Sequence, residues 1–191
     1  MGMRYSKLVS FLEMDPFKIA AQLAARDTAE QLLRFGFTEV GFSRGESVYL
    51  IETPYNYLAH VEEGLGTKSL VADAMYELTG RLYYDSIAQD TVAMIVNDMI
   101  TLGALPVSVA MHLAVGASEW FNDMTRASDL IEGWKRACVL SRCVWGVGET
   151  PTLKGIVEPS TSLLSGSALG IIEPKSRLIT ANIQDGDAII L

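Results

Sequence analysis

The chain has 191 residues, of which 49% are hydrophobic and 20% are charged, so it can build a domain core and lacks the composition of a disordered segment. Its formal net charge is −8, which argues against nucleic acid and anionic membranes as partners, because a phosphate backbone requires a basic face. No window reaches the roughly 18 apolar residues of a membrane span and no apolar signal region follows the N-terminus, so we expect a cytoplasmic protein.

The first part of the chain predicts a helix, a hairpin and a second helix. Asp15 is expected to be an N-cap with Pro16 in the first helical turn, and this helix is expected to stop at Gly36. Two β-like runs, ESVYLIET and YNYLAHVE, predict a hairpin. The run SLVADAMYELTG then predicts a helix that ends at Gly80.

The middle of the chain gives the clearest periodic patterns. AQDTVAMIVNDMITLG predicts a helix that ends at Gly103, with an apolar stripe formed by Val92, Ile95, Val96 and Met99. LPVSVAMHLAVG predicts an apolar strand. MTRASDLIEGWKRACVLSR predicts an amphipathic helix whose inward residues are Leu130, Ile131, Trp134 and Cys138.

The last part of the chain predicts strands. CVWGVGETP is expected to start as a strand and break into a glycine turn, and TSLLSGSALGIIEP and DAIIL predict two late strands. Hairpins mixed with strand–helix–strand units predict an α+β fold with a mixed sheet. Cys138 and Cys143 match no zinc-binding spacing and are expected to be reduced thiols. The sequence stops at Leu191 inside an apolar run, so we expect the natural protein to continue.

The stretch AHVEEGLGTKS is the first candidate for chemistry. A Walker loop would need glycine where Glu62 stands, six residues before Lys68, and a dinucleotide fingerprint would need a third glycine where Ser69 stands. What remains is a Gly-x-Gly-Thr-Lys turn between a strand and a helix. Gly64 and Gly66 permit close approach of a ligand, and helix N–H groups with Lys68 would suit an anion. A plain glycine turn is the open alternative.

Acidic residues follow on the strongest predicted helix. Asp90 and Asn97 lie seven positions apart and so on nearly one face, with Asp98 beside them. No Lys or Arg occurs from residue 82 through 125, which is unusual for a solvated face and fits the hard oxygen ligands of Mg²⁺. A solvated face is the alternative. Glu149 follows two glycines at a strand end, where site residues are frequent.

These segments together resemble one family. EGLGTK resembles the Asp-Gly-Val-Gly-Thr-Lys signature of aminoimidazole ribonucleotide synthase, the phosphoribosylformylglycinamidine cyclo-ligase of purine synthesis. YDSIAQDTVAMIVNDMITLGALP resembles the family's acidic helix, VWGVGETP its Ile-Gly-Gly-Glu-Thr turn, and LSGSALGIIEP with DGDAIIL its late strand pair. The motifs keep the family's order over residues 45–191.

The resemblance implies a fold and an assembly. We expect an α+β domain whose mixed or antiparallel sheet is covered by helices and joins a second copy's sheet in a barrel, making a homodimer. It implies an N-terminal segment and helix over residues 1–45, an ATP-binding domain over residues 46–191, and a second domain after Leu191.

The resemblance also implies a site for ATP and Mg²⁺. It places Gly64, Leu65, Gly66, Thr67 and Lys68 at the phosphates, with nucleotide contacts from Asn97 and Glu149. Metal ligands would be Glu63, Asp90 and Asp98, and the catalytic residues Lys68 and Asp90. Weaker candidates are Asp85 and Lys7. The sequence departs from the family at Glu63, Tyr84 and Val147, where the family has Asp, His and Gly, which indicates a divergent branch.

The function implied is phosphoryl transfer from ATP to an amide oxygen, followed by ring closure. Such chemistry needs positioning and charge neutralisation and does not need a protein nucleophile. Two alternatives stay open: another ATP-using member of the superfamily, of the thiamine-monophosphate kinase or selenophosphate synthetase type, and a dimeric nucleotide-binding module without catalysis.

Overall fold

The computed structural model describes residues 11–180 and 182–189. Within these ranges the helices are α1 (Phe11–Arg26), α2 (Lys68–Thr79), α3 (Tyr84–Ile100) and α4 (Met124–Leu140). The strands are β1 (Thr38–Glu39), β2 (Tyr49–Glu52), β3 (Tyr57–Gly64), β4 (Leu105–Val115), β5 (Val144–Glu149) and β6 (Ser162–Ile172). Short 3₁₀ turns lie at Ala29–Phe35, Gly41–Ser43, Ser118–Asn122 and Lys175–Arg177. No helix of the described part is long and apolar enough to span a bilayer.

The described strands form one sheet in the order β1-β2-β3-β6-β4-β5. All neighbours are antiparallel except β4 and β5, which are parallel and joined through α4. The predicted hairpin is confirmed as β2 and β3, and Gly80 ends α2 in the left-handed conformation as expected. The α+β prediction with a mixed sheet covered by helices is therefore confirmed, whereas the barrel across a dimer stays a prediction.

One face of the sheet carries the core. α3 packs against the centre of the sheet and α4 packs beside α3. The stripe predicted for α3 is confirmed, since Val92, Ile95 and Met99 are fully buried and Val96 is partly buried against them. Alternate side chains of β6 are buried on this face, and the residues between them lie on a second face that no described helix covers; these are Leu163, Ser165, Ser167, Leu169 and Ile171. We call this second side the open face.

β5 differs from the prediction, because the glycine turn expected there is a regular strand through Glu149. Gly146 and Gly148 allow the backbone of β5 to lie close to β4. A Cβ at Gly146 would lie 2.3 Å from the Ser108 hydroxyl, and one at Gly148 would lie 3.0 Å from the Met111 carbonyl oxygen. Gly146 also falls at a register shift between β4 and β5. Glycine in an edge strand here marks a bulge and a tight contact, so reading it as a turn was wrong.

Helix boundaries and faces differ from the prediction at four further points. α1 already includes Phe11 and carries Pro16 inside, so the Asp15 N-cap was wrong. Pro16 removes one hydrogen bond, and the Ala-, Leu- and Gln-rich run over residues 20–25 favours the helix after it. The helix ends at Arg26, where the Thr28 hydroxyl donates to the Ala25 carbonyl, before a 3₁₀ turn that Gly36 ends. Two other expectations fail: Ile131 is 44% exposed at the edge of the α4 stripe, and the described residues 187–189 form no strand.

Candidate functional site

The glycine loop rounds the end of the sheet between β3 and α2. Gly64 pairs with Ser165 of β6, and the Leu65 N–H donates to the Leu164 carbonyl at 2.9 Å, which extends the ladder by one residue. The Leu65 side chain is buried, so this residue anchors the loop and its N–H is not free to hold an anion. Gly66 then takes φ +71°, the left-handed conformation that favours glycine.

The first turn of α2 is held by a buried hydrogen bond on its inner side and is exposed to solvent on its outer side. The buried Ser69 hydroxyl donates to the Ser162 carbonyl at 2.7 Å, tying the first turn of α2 to the start of β6. Thr67 occupies the N-cap position without making a side-chain capping bond. The first N–H groups of a helix have no intrahelical acceptor, so this helix start, beside exposed Gly66 and Lys68, offers donors to an anion.

Lys68 and Asp90 form the first pair of predicted site residues. The Lys68 Nζ donates to Asp90 Oδ2 at 2.8 Å, and both side chains are about half exposed, at 50% and 51%. The pair joins α2 to α3 at the rim of a groove between them. An exposed ion pair of this kind contributes little stability, so Lys68 can exchange the carboxylate for another anion at small cost.

Glu63 and Asp98 form the second pair. Glu63 lies on the covered face of β3, next to α3. Burial raises the pKa of the Glu63 carboxyl above its ordinary range, and the Asp98 carboxyl, within hydrogen-bond reach, raises this pKa further. The neighbouring Asp98 carboxyl therefore favours the protonated form of Glu63.

The faces of α3 divide the predicted acids. Successive residues turn by about 100°, so Asp90 and Asn97 lie together on the solvent side, where both are exposed. Asp98 turns toward the sheet and meets Glu63, so placing it beside Asp90 and Asn97 was wrong. Asp90 and Asp98 are also separated by ~12 Å along the helix axis, for eight residues at 1.5 Å each.

Glu149 lies on the other side of the sheet. At the loop end of the open face, one row crosses four strands in register: Gly64, Ser165, His112 and Glu149. A cavity of about 380 Å³ lies over this row. Ser165 Oγ is 3.3 Å from His112 Nδ1, and Glu62 enters the same cavity from β3. Glu149 therefore shares the loop end of the sheet with Glu63 but is separated from it by the sheet itself.

The other polar side chains of this cavity were not predicted as site residues; they are Glu62, His112, Ser165 and Ser167. The alternation of buried and exposed residues along each strand could have identified them. Ala59 and Val61 are buried, so Glu63 points to the core with them and Glu62 points the other way. The same parity places His112 of β4 on the open face with Ser165.

Asp85 has structural contacts that account for it. Its carboxylate accepts from Arg136 at 2.9 Å, and its backbone N–H donates to the Asp129 carboxylate at 2.9 Å. Both contacts join the start of α3 to α4, away from the glycine loop. Lys7 lies outside the described residues.

The donor set fits Mg²⁺ in a limited way. Among residues 11–180 and 182–189, no three or more His, Cys, Asp or Glu side chains are grouped closely enough to hold a metal ion. Mg²⁺ in nucleotide sites is commonly held by one or two carboxylates together with phosphates and water. The adjacent hard oxygens of Glu63 and Asp98 match that requirement, whereas the predicted three-carboxylate set with Asp90 does not assemble in this chain.

We predict that Glu63→Gln raises the thermal midpoint near neutral pH by roughly 1–3 °C. The folded state holds the Glu63 proton more tightly than the unfolded chain, so the contribution of Glu63 to stability is fully present below the ordinary glutamate pKa and is lost as pH rises through the raised pKa. Melting curves across pH for wild type and Glu63→Gln measure this. Glu77→Gln is the control, because Glu77 is an exposed carboxylate of α2 and is not among the groups that shift the pKa of Glu63. Equal gains in both variants at every pH would contradict the assignment.

Comparisons with known proteins show which family this chain belongs to and which folds it resembles. The family model described as AIR synthase related protein, N-terminal domain, matches residues 45–172. A phosphoribosylformylglycinamidine cyclo-ligase of Carboxydothermus hydrogenoformans is 31% identical over 153 residues, covering 78% of this chain and 41% of that protein. The chloroplastic/mitochondrial cyclo-ligase of Vigna unguiculata is 36% identical over 135 residues, covering 71% of this chain and 32% of its own length. The chain thus spans between about a third and just under half of the length of the curated relatives it matches.

Solved structures show the same fold. AaThiL complexed with AMPPCP and TMP superposes with a TM-score of 0.59 over 91% of this chain and 45% of its own length, at 16% identity. PurLQS from Thermotoga maritima gives a TM-score of 0.51 over 68% of this chain and 20% of its own length, at 17% identity.

Proposed function

Because the chain belongs to the AIR synthase related family through its N-terminal domain, we propose that it is the ATP- and Mg²⁺-binding domain of a cyclo-ligase-like enzyme of purine biosynthesis. The observation that carries the proposal is the loop end of the sheet. A glycine turn, an uncapped helix start and the Lys68–Asp90 ion pair lie at the start of α2, and the Glu63–Asp98 carboxyl pair lies at the preceding end of β3. The domain boundaries at residues 1–45 and 46–191, with a further domain after Leu191, belong to the same proposal.

The proposed chemistry is activation of an amide oxygen by phosphoryl transfer from ATP. The helix start at Thr67 and Lys68 holds the phosphate chain, and the Lys68 ammonium moves from Asp90 to a phosphate oxygen and neutralises part of its charge. Asp90 and Asn97 present oxygen and amide groups to the same solvent side of α3. Glu63 and Asp98 would hold Mg²⁺, which supplies charge neutralisation to the phosphates.

The proposed assembly is a homodimer through the open face. This face exposes the apolar side chains Leu163 and Leu169 of β6 and Val147 of β5. A partner sheet laid on them would bury apolar surface and close the cavity over His112 and Glu149. Glu149 would then contact the nucleotide from the open side, with the partner forming the opposite wall.

A second candidate is a kinase of the thiamine-monophosphate type. It is favoured by the superposition on AaThiL, solved with AMPPCP and TMP. The cyclo-ligase assignment takes precedence because it draws on relatives at 31% and 36% identity, against 16% for AaThiL. Turnover with formylglycinamidine ribonucleotide, and none with thiamine monophosphate, would separate the two in a full-length protein.

The proposal predicts that ATP with Mg²⁺ stabilises the chain and that Lys68→Ala abolishes this. A free ATP concentration of about 100 times Kd would stabilise the folded chain by about 2.7 kcal/mol. The thermal midpoint of the wild type should therefore rise by several degrees. Melting of the unliganded variant should change little, because the Lys68–Asp90 pair is half exposed.

Lys135→Ala is the matched control, since Lys135 also forms an exposed ion pair, with Glu132 on α4. It should retain the full response. An unchanged melting curve of the wild type at millimolar ATP and Mg²⁺ would contradict the nucleotide site. If Lys68→Ala is stabilised by ATP as much as the wild type is, Lys68 does not contribute to binding.

A further inference from the structure

A second polar cluster surrounds Tyr84, where α2, α4 and the start of β6 meet. The Tyr84 hydroxyl donates to Asp73 Oδ1 at 2.6 Å. Its ring packs edge-on against Trp120, with centroids 5.7 Å apart, and the Arg126 guanidinium lies 4.3 Å from the Trp120 ring centroid. We call these residues, with Ser162, the Tyr84 cluster. It lies off the open face, and its member Ser162 is linked to the first turn of α2 by the hydrogen bond from the Ser69 hydroxyl.

The Tyr84 cluster holds most of the unmet polar groups in the described part of the chain. Five buried side-chain nitrogen or oxygen atoms there have no hydrogen-bond partner, and four belong to this cluster: Asp73 Oδ2, Trp120 Nε1, Arg126 Nε and Ser162 Oγ. Trp120 and Ser162 are only 3% and 6% exposed. The Ser162 side chain also lies within hydrogen-bonding reach of the Tyr84 hydroxyl. Buried polar groups in native proteins are nearly always paired with protein or with ordered water, so the remaining atoms mark a place where further polar partners are expected.

A cavity of about 380 Å³ adjoins the cluster, in the size range of small-molecule sites. Asp73 and Arg126 of the cluster both line it, whereas Trp120 and Ser162 lie behind them, outside the lining. The remaining walls include Glu77 and Leu70 of α2 and the hydroxyl residues Ser160 and Thr161. Asp73 and Glu77 are four residues apart on α2, so their carboxylates lie on one side of the cavity.

The cavity has negative charges on α2, from Asp73 and Glu77, and a positive charge on α4, from Arg126. Arg126 approaches Asp123 outside the cavity at 3.8 Å and donates to the Trp120 carbonyl at 2.9 Å. Among the described residues it forms no ion pair with Asp73 or Glu77. A cavity with carboxylates on one wall and a guanidinium on the other complements a ligand that carries both charges. Two carboxylates against one guanidinium would repel a phosphate.

We propose that this cavity binds a small zwitterion of the α-amino acid class. Its ammonium group would lie at Asp73 and Glu77, its carboxylate at Arg126, and its side chain against Leu70. Asp73 and Glu77 lie about 140° and 180° around α2 from Lys68, so this site and the proposed nucleotide site occupy opposite sides of one helix. The inference does not depend on the proposed function.

The test is a titration followed through the indole N–H resonances of ¹⁵N-labelled protein. Trp120 provides the reporter, since its Nε1 is one of the unpaired atoms; Trp120→Phe assigns its signal against those of Trp134 and Trp145. The probes are glycine, L-alanine and L-serine, with glycinamide and N-acetylglycine as matched compounds that keep only the positive or only the negative charge. The expected result is a saturable shift of the Trp120 signal with the zwitterions, and binding at least about tenfold weaker with the other two.

Two variants and one control complete the test. Arg126→Gln and Glu77→Gln should each weaken zwitterion binding by about tenfold or more, and Glu77 is exposed, so its substitution leaves folding intact. Lys135→Gln removes a cation from α4 outside the cavity and should bind as wild type does. The proposal is overturned if none of the zwitterions moves the Trp120 signal, if glycinamide or N-acetylglycine binds as well as glycine, or if Glu77→Gln binds as wild type does.

Discussion

Gly133→Ala is expected to destabilise the protein by roughly 2–4 kcal/mol. In an ordinary exposed helix this change would stabilise, since alanine is favoured over glycine by about 1 kcal/mol. Here a Cβ would lie 2.4 Å from Asp85 Cα and 2.6 Å from the Asp85 carbonyl oxygen. These are backbone atoms, so the clash is relieved only by moving α3 away from α4. Thermal unfolding should show a drop of roughly 5–15 °C.

The matched control is Gly41→Ala. A Cβ at Gly41 meets no atom within 4 Å, and its φ is not in the left-handed region, so the same methyl group should leave the melting temperature nearly unchanged. A Gly133→Ala protein as stable as wild type would show that α3 and α4 do not pack at the distance described.

Leu169→Arg is expected to convert the proposed homodimer into a monomer. Leu169 lies on the open face and is 48% exposed in the single chain. In a sheet-to-sheet interface an arginine there would bury an unpaired charge, which is strongly unfavourable. Sedimentation of wild type should give about twice the chain mass of 20.8 kDa, and the variant should sediment at the chain mass.

Val139→Arg serves as the control for that experiment. Val139 is 70% exposed on α4, on the covered side of the sheet, so the same type of substitution should leave the dimer intact. A wild-type chain that sediments as a monomer at all concentrations tested would contradict the proposed interface, and dissociation by both variants would remove its assignment to the open face.

Sequence periodicity predicted the elements that carry the core. The α3 stripe and the β2–β3 hairpin follow from local patterns, because burial of Val92 and Ile95 and pairing of adjacent strands are set by nearby residues. β5 was mispredicted because glycine marks both turns and close backbone contacts. Only the fold shows that Gly146 approaches Ser108 of β4.

The sequence predicted individual candidate residues, but it did not predict which of them lie together in the folded chain. The face on which Glu149 lies depends on its register with His112 and on the bulge at Gly146, which no local pattern encodes. The Glu63–Asp98 pair depends on how α3 rotates against β3. Strand alternation alone would have separated Glu62 from Glu63, since Ala59 and Val61 fix the parity of β3.

The sheet itself limits which molecules can use both groups of acids. Neighbouring strands are only about 4.8 Å apart and joined by hydrogen bonds, so nothing threads between β3 and β6. A molecule that contacts both the Glu63–Asp98 pair and Glu149 has to bend around the rim at Gly66. The conformation of the turn at Gly66 therefore fixes the path around the edge of the sheet, and only a long, flexible ligand can follow that path.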